Sequence, residues 1–248
     1  MSKKSIFSFL FGFIFLFSIY HFPEYFSAFW IMATFKIGFL VAAFLLALMQ
    51  GWKGLGGYGL RIKSGWGLNL IKGLCIGFIC FGFSVIASLL FGYERVIFYP
   101  SLEVIIKQTP MILLMTAIPS IAEDILTRGY LLGHLGTRMK KGNWILISAI
   151  VFVLNHVWRL NDGIAVLSYL FFLGLLLAYT VWRTKSLWLA FGIHWGSNIA
   201  FESTNTIVKM ESLVSHEGST WILTIIWAAS FLTFIFSERN KNSKEFVK

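Results

Sequence analysis

The apolar residues of this chain come in long runs. They do not alternate with polar positions at the two-residue period of a half-buried strand or the 3.6-residue period of a surface helix. A helix needs about 20 apolar residues to cross a hydrocarbon core of about 30 Å. Eight runs approach that length: residues 5–21, 28–49, 66–91, 104–135, 143–158, 163–182, 186–204 and 219–237. The fourth run is long, the fifth short, and the 186–204 run the least apolar. The pattern predicts an all-α, polytopic membrane protein with about eight transmembrane helices in one bundle. Residues 1–248 read as a single membrane domain with short loops.

Composition agrees. Of 248 residues, 57% are hydrophobic and 13% charged, about half the charged share of a soluble domain. The net charge of +10 raises the question of nucleic acid, but the charge is distributed by loop. Alternate loops put Lys3, Lys4, Lys53, Arg61, Lys63, Arg138, Lys140, Lys141, Arg183, Lys185, Arg239, Lys241, Lys244 and Lys248 on one side, 14 of the 21 basic residues. The other side holds Arg95, Lys107, Arg159 and Lys209, and Lys36, Lys72 and Arg128 fall inside spans. This bias is the positive-inside signature, so both termini are expected in the cytoplasm. It also removes nucleic acid as a partner and leaves the lipid bilayer. No small-residue cleavage site precedes HFPEYF, so the first apolar run reads as a retained span.

Three further features take plain readings. Cys75 and Cys80 lie in an apolar run with no CxxC pair and read as buried thiols. The glycine-rich stretch 50–67 lacks a GK[ST] ending and reads as a flexible connection. Gly73 and Gly77 form a GxxxG pair suited to close helix packing.

The informative residues are the ionisable ones inside spans, which are costly there and normally face a partner or a cavity. The fourth run carries Glu123, Asp124 and Arg128. Asp124 and Arg128 are four apart and can pair on one helix face. Glu123 is turned by about 100° from Asp124 and is free to point elsewhere. Asn155 and His156 end the fifth run, and His194 and Asn198 share one face of the seventh. Pro119, four residues before Glu123, favours a kink and irregular backbone beside a cavity. His21 and His216 read as loop residues, His134 as interfacial, Lys36 and Lys72 as snorkelling or paired, and Glu202 as interfacial or on a cavity rim; none is assigned to the site.

A desolvated carboxylate is a stronger base than one in water, which suits activation of water near neutral pH. A neighbouring histidine helps hold that water, and a second histidine with an asparagine amide supplies donors for an oxyanion. That set fits amide hydrolysis. Glu123, His156 and His194 also fit three zinc ligands with an open fourth position. Spacing leaves both schemes open.

The ordered trio Glu123-Asp124-Ile-Leu-Thr-Arg128, Phe152-Val-Leu-Asn-His156 and His194-Trp-Gly-Ser-Asn198 resembles the EExxxR, FxxxH and Hxxx[ND] motifs of the CPBP family of intramembrane proteases. That family includes type II CAAX prenyl endopeptidases and bacterial enzymes linked to bacteriocin processing and self-immunity. The resemblance covers about residues 115–200. It implies an intramembrane endopeptidase acting on membrane-associated or lipidated peptides in a bacterial cell membrane. Glu123 would be the water-activating base, His156 its partner, His194 and Asn198 the oxyanion donors, and Asp124 with Arg128 the structural support. The metal-free scheme is preferred, with zinc on Glu123, His156 and His194 as the alternative. One position departs from the pattern: Asp124 stands where the second glutamate is usual. That departure is the feature favouring a competing reading, a non-catalytic immunity or partner-binding protein on the same scaffold. A small transporter ranks last, because no inverted repeat is visible.

Overall fold

The computed structural model describes residues 3–213 and 217–245; His216 and Lys248 lie outside them. Each of the eight apolar runs folds as helix. These are α1 (Lys3–His21), α2 (Phe29–Met49), α3 (Trp66–Leu90), α4 (Leu102–Asp124) continuing into α5 (Tyr130–Leu135), α6 (Lys141–Asn155), α7 (Ile164–Thr184), α8 (Trp188–Glu202) and α9 (Glu217–Glu245). Six of these segments among the described residues are long and apolar enough to cross a membrane; α6 and α8, at 15 residues each, are shorter. The bundle is a membrane protein turned outward: Phe7, Phe11, Met49, Leu90 and Ile225 are exposed where a soluble protein would hide them.

Small residues set the closest crossing. On α3, a side chain at Gly73 would run into Gly192 Cα at 2.8 Å, and one at Gly77 into Ser197 N at 2.8 Å. On α8, Gly192 and Gly196 meet α3 backbone in the same way. The expected GxxxG contact therefore exists, and its partner is the helix that carries His194 and Asn198.

The two ends of the bundle differ. At one end the basic loops meet: Leu187 N donates to Gly59 O (3.1 Å), Trp188 Nε1 to Arg61 O (3.0 Å), and His134 Nε2 lies 3.2 Å from Gln50 Oε1. The glycine-rich stretch does not behave as a flexible connection here. Gly54–Tyr58 form a 3₁₀ turn, and the fully buried Tyr58 donates its hydroxyl to Ala43 O (2.9 Å). The opposite end carries a two-stranded antiparallel ribbon that the apolar pattern did not foretell, β1 (Glu94–Val96) against β2 (Met210–Ser212). Its outward face bears the Arg95–Glu211 pair. The two thiols are free, but the expected burial does not hold: Cys75 is exposed and Cys80 half-buried.

Candidate active site

The α4 helix does not run straight into α5. Residues Ile125–Gly129 form a π-turn directly after Glu123 and Asp124, a local widening that often marks functional positions in helices. Its backbone is satisfied by side chains: Thr127 Oγ1 donates to Glu123 O (2.8 Å), and Ser148 Oγ on α6 donates to Thr127 O (3.0 Å). Despite the widened turn, Arg128 Nη1 still donates to Asp124 Oδ1, with both side chains completely buried. The guanidinium lies over the Phe152 ring, 4.3 Å from its centroid. The bracing pair read from the four-residue spacing is present.

His156 sits just beyond the C-terminus of α6, with φ −88° and ψ 55°, and not within a helix as its apolar run implied. The helix end leaves carbonyls without intrahelical donors, and His156 Nδ1 lies 2.8 Å from Phe152 O. The same nitrogen is 3.4 Å from Glu123 Oε1. Phe152 packs edge-on against both His156 and His194, with centroids 4.7 and 5.6 Å away. The phenylalanine of the FxxxH pattern is thus the apolar centre around which both rings and Arg128 are arranged.

His194 does what the linear pattern did not indicate. Its Nδ1 is 3.2 Å from Asp124 Oδ1 and its Nε2 is 3.8 Å from Glu123 Oε2, so one imidazole bridges two adjacent carboxylates. Asp124 therefore contacts a site histidine as well as its arginine, and the shorter side chain spans both. Asn155, which the sequence left without a role, donates Nδ2 to Glu123 Oε1 (3.1 Å). Asn198 lies one turn after His194 and donates Nδ2 to Ser120 Oγ (2.9 Å) on α4.

A cavity of about 620 Å³ opens over this layer. Glu123, His156, His194 and Asn198 line its floor, and Glu94, Arg159, Asp162 and Glu211 line the mouth at the ribbon end of the bundle. Glu123 is 6% exposed and Asp124 0%: one carboxylate reaches the cavity and its neighbour is sealed beneath it. Residues that the sequence reading left outside the site join the layer from the far side. His21 is buried, with Nε2 3.1 Å from Asn155 Oδ1. Lys36 is buried and donates to Glu24 Oε1 (2.9 Å).

The zinc alternative requires Glu123, His156 and His194 to aim at one point. Nδ1 of His156 is directed at a backbone carbonyl and Nδ1 of His194 at Asp124, which leaves Nε2 of each ring as the nitrogen a metal could use. No group of three or more His, Cys, Asp or Glu among the described residues has a geometry that holds a metal ion. The residues as arranged do not fit that site, and no step below is routed through a metal.

Residues 105–200 match the family model described as Type II CAAX prenyl endopeptidase Rce1-like. Over that segment the chain is similar to the CPBP type of intramembrane protease. All three motif segments fall inside the match, from α4 to α8. The match supports, as a class, an intramembrane endopeptidase of CAAX type. No curated protein matches the chain. The Rce1-like segment supplies Glu123, Asp124, Arg128, His156, His194 and Asn198, whereas His21, Glu24 and Lys36 lie outside it.

Proposed function

We propose that the protein hydrolyses peptide bonds of membrane-associated or lipidated peptides by a glutamate-activated water. The carrying observation is the pairing of an exposed-edge carboxylate with donors on two sides: Glu123 borders the cavity, with Asn155, His156 and His194 around it. In this reading Glu123 removes a proton from a water held with His156 as the oxygen attacks the carbonyl carbon. His194 and the second amide hydrogen of Asn198 donate to the resulting oxyanion. Collapse breaks the C–N bond, and the leaving amine takes the proton from Glu123. Asp124 and Arg128 contribute by holding His194 and the π-turn. The Asp124 contacts with both Arg128 and His194 weaken the case for a non-catalytic scaffold, since the departure at that position leaves its neighbours engaged.

The test compares peptide termini in membranes from cells carrying wild type or Glu123→Gln at matched expression. New termini that disappear in the variant are expected, with turnover lower by a factor of at least about 10³, a typical scale for losing an essential acid–base group. Retained cleavage in Glu123→Gln would remove the mechanism.

The orientation belongs to the same proposal. With the basic loops in the cytoplasm, the cavity mouth at Glu94, Asp162 and Glu211 faces the opposite side, and peptide enters from there. Apart from Glu123 and Asp124, every acidic residue between positions 1 and 217 falls in that end's loops or in the helix ends that border them.

A further inference from the structure

The first two helices carry three charged or titratable residues that the mechanism leaves unused, and all three are buried or nearly so. His21 closes α1, Glu24 follows in the 3₁₀ turn Phe22–Tyr25, and Lys36 lies inside α2. Burying them is costly unless each is paired, and each is. Glu24 is the hub: Oε2 lies 2.6 Å from His21 Nδ1 and accepts from Trp158 Nε1 (2.9 Å), while Oε1 accepts from Lys36 Nζ (2.9 Å). Lys36 also donates to Tyr20 O (2.9 Å) and sits over the Tyr20 ring, 3.2 Å from its centroid.

The network reaches Glu123 by two routes, both through the segment that ends α6. His21 Nε2 is 3.1 Å from Asn155 Oδ1, and Asn155 Nδ2 donates to Glu123 Oε1. An amide has one accepting and one donating end. With Oδ1 held by His21, only the donor end is left for the carboxylate. Without His21, nothing keeps the amide from rotating and presenting an acceptor to Glu123. The second route is Trp158, two residues beyond His156, whose indole is tied to Glu24. One carboxylate therefore holds the chain on both sides of His156.

We infer that His21, Glu24 and Lys36 form a positioning network, external to the Rce1-like segment, that fixes the direction of the Asn155 hydrogen bond to Glu123 and the placement of His156. The inference rests on the reading of Glu123 as the base. None of the three, nor Asn155, lines the cavity, so their loss acts on the reacting group and not on peptide binding.

The experiment uses the full chain in its membrane with His21→Ala and His21→Gln, and the exposed-site variant Lys107→Gln as control. Turnover is followed on the peptide that wild type processes, together with the unfolding midpoint in detergent. His21→Ala is expected to lower kcat by about ten- to a hundredfold, the usual scale for partners that orient a reacting group, with KM unchanged. His21→Gln, which restores a donor at similar reach, is expected to recover part of the loss. A fall that appears in KM, or one that follows only the loss of folded protein and is not recovered by glutamine, overturns the network. A second readout needs no substrate: the rate at which dicyclohexylcarbodiimide modifies Glu123, read by mass spectrometry. A several-fold change in His21→Ala that His21→Gln reverses supports the network even if wild type processes no peptide and the protease reading fails. An unchanged rate overturns it.

Discussion

Two polar regions lie at opposite ends of one cavity, and they use the same chemistry at different value. Beneath the floor, Asp124 and Arg128 pair with no solvent exposure at all; at the mouth, Arg95 and Glu211 pair with side chains 60% and 48% exposed. At the mouth, water and ions screen the attraction, and such pairs contribute about 0–1 kcal/mol. Beneath the floor neither partner has a substitute. Arg128 Nε and Nη2 and Asp124 Oδ2 have no hydrogen-bond partner among the described residues, so Arg128 depends on Asp124, Thr127 Oγ1 and the Phe152 ring, and Asp124 on Arg128 and His194. A buried pair is weak evidence for net stability, yet removal of one member leaves an uncompensated charge. The floor is therefore rigid by necessity, while the mouth is free to vary.

The largest effect is expected from breaking the floor. Arg128→Met keeps length and apolar contact with Phe152 but strands Asp124, and should cost about 3–5 kcal/mol. Thermal unfolding in detergent reads this directly, and a midpoint within a degree or two of wild type would show that the floor is not held by this pair. An intermediate effect is expected at the wall between floor and mouth. Gly77→Leu would force α8 away from α3, because Ile193 C and Ser197 N leave 2.8 Å for a new Cβ. Overpacking of this kind costs about 1–3 kcal/mol, and here it also displaces His194 and Asn198. Turnover is expected to fall further than the loss of folded protein explains; equal losses would mean that the crossing supports stability alone. The smallest effect is expected at the mouth. Glu211→Cys removes the exposed pair and should shift stability by no more than about 1 kcal/mol. The same variant reports on orientation: a membrane-impermeant maleimide added to intact cells should label it above the wild-type background. Labelling only after the membrane is opened would reverse the proposed side of entry.

The helical segments were legible because hydrocarbon demands long apolar runs, and the observed helices begin and end within a few residues of them, except that α9 continues to Glu245. The Asp124–Arg128 pair was legible for a local reason, four residues on one helix face, and it survives even the π-turn. The glycine pair on α3 announced a close crossing without naming its partner. What was misread shares a cause. His156 was assigned to a helix because the apolar run continues to Trp158, yet the backbone turns out of the helix after Asn155, and the ring takes up a freed carbonyl. His21 was assigned to a loop, and Lys36 was read as snorkelling or paired with no partner named, because the residues that pair with them are invisible to local spacing.

The sequence by itself determined that this chain spans a membrane, which end of the bundle gathers the basic loops, and which seven residues carry the motif pattern. Those properties follow from composition and from periods within single helices. Tertiary structure decided what the polar residues do to one another. The bonds that define the floor join Glu123 to Asn155 across 32 positions, Asp124 to His194 across 70, and His21 to Asn155 across 134. Contacts at such separations depend on how helices cross, and the crossing is set by packing of small residues and by the need of each buried charge for a partner.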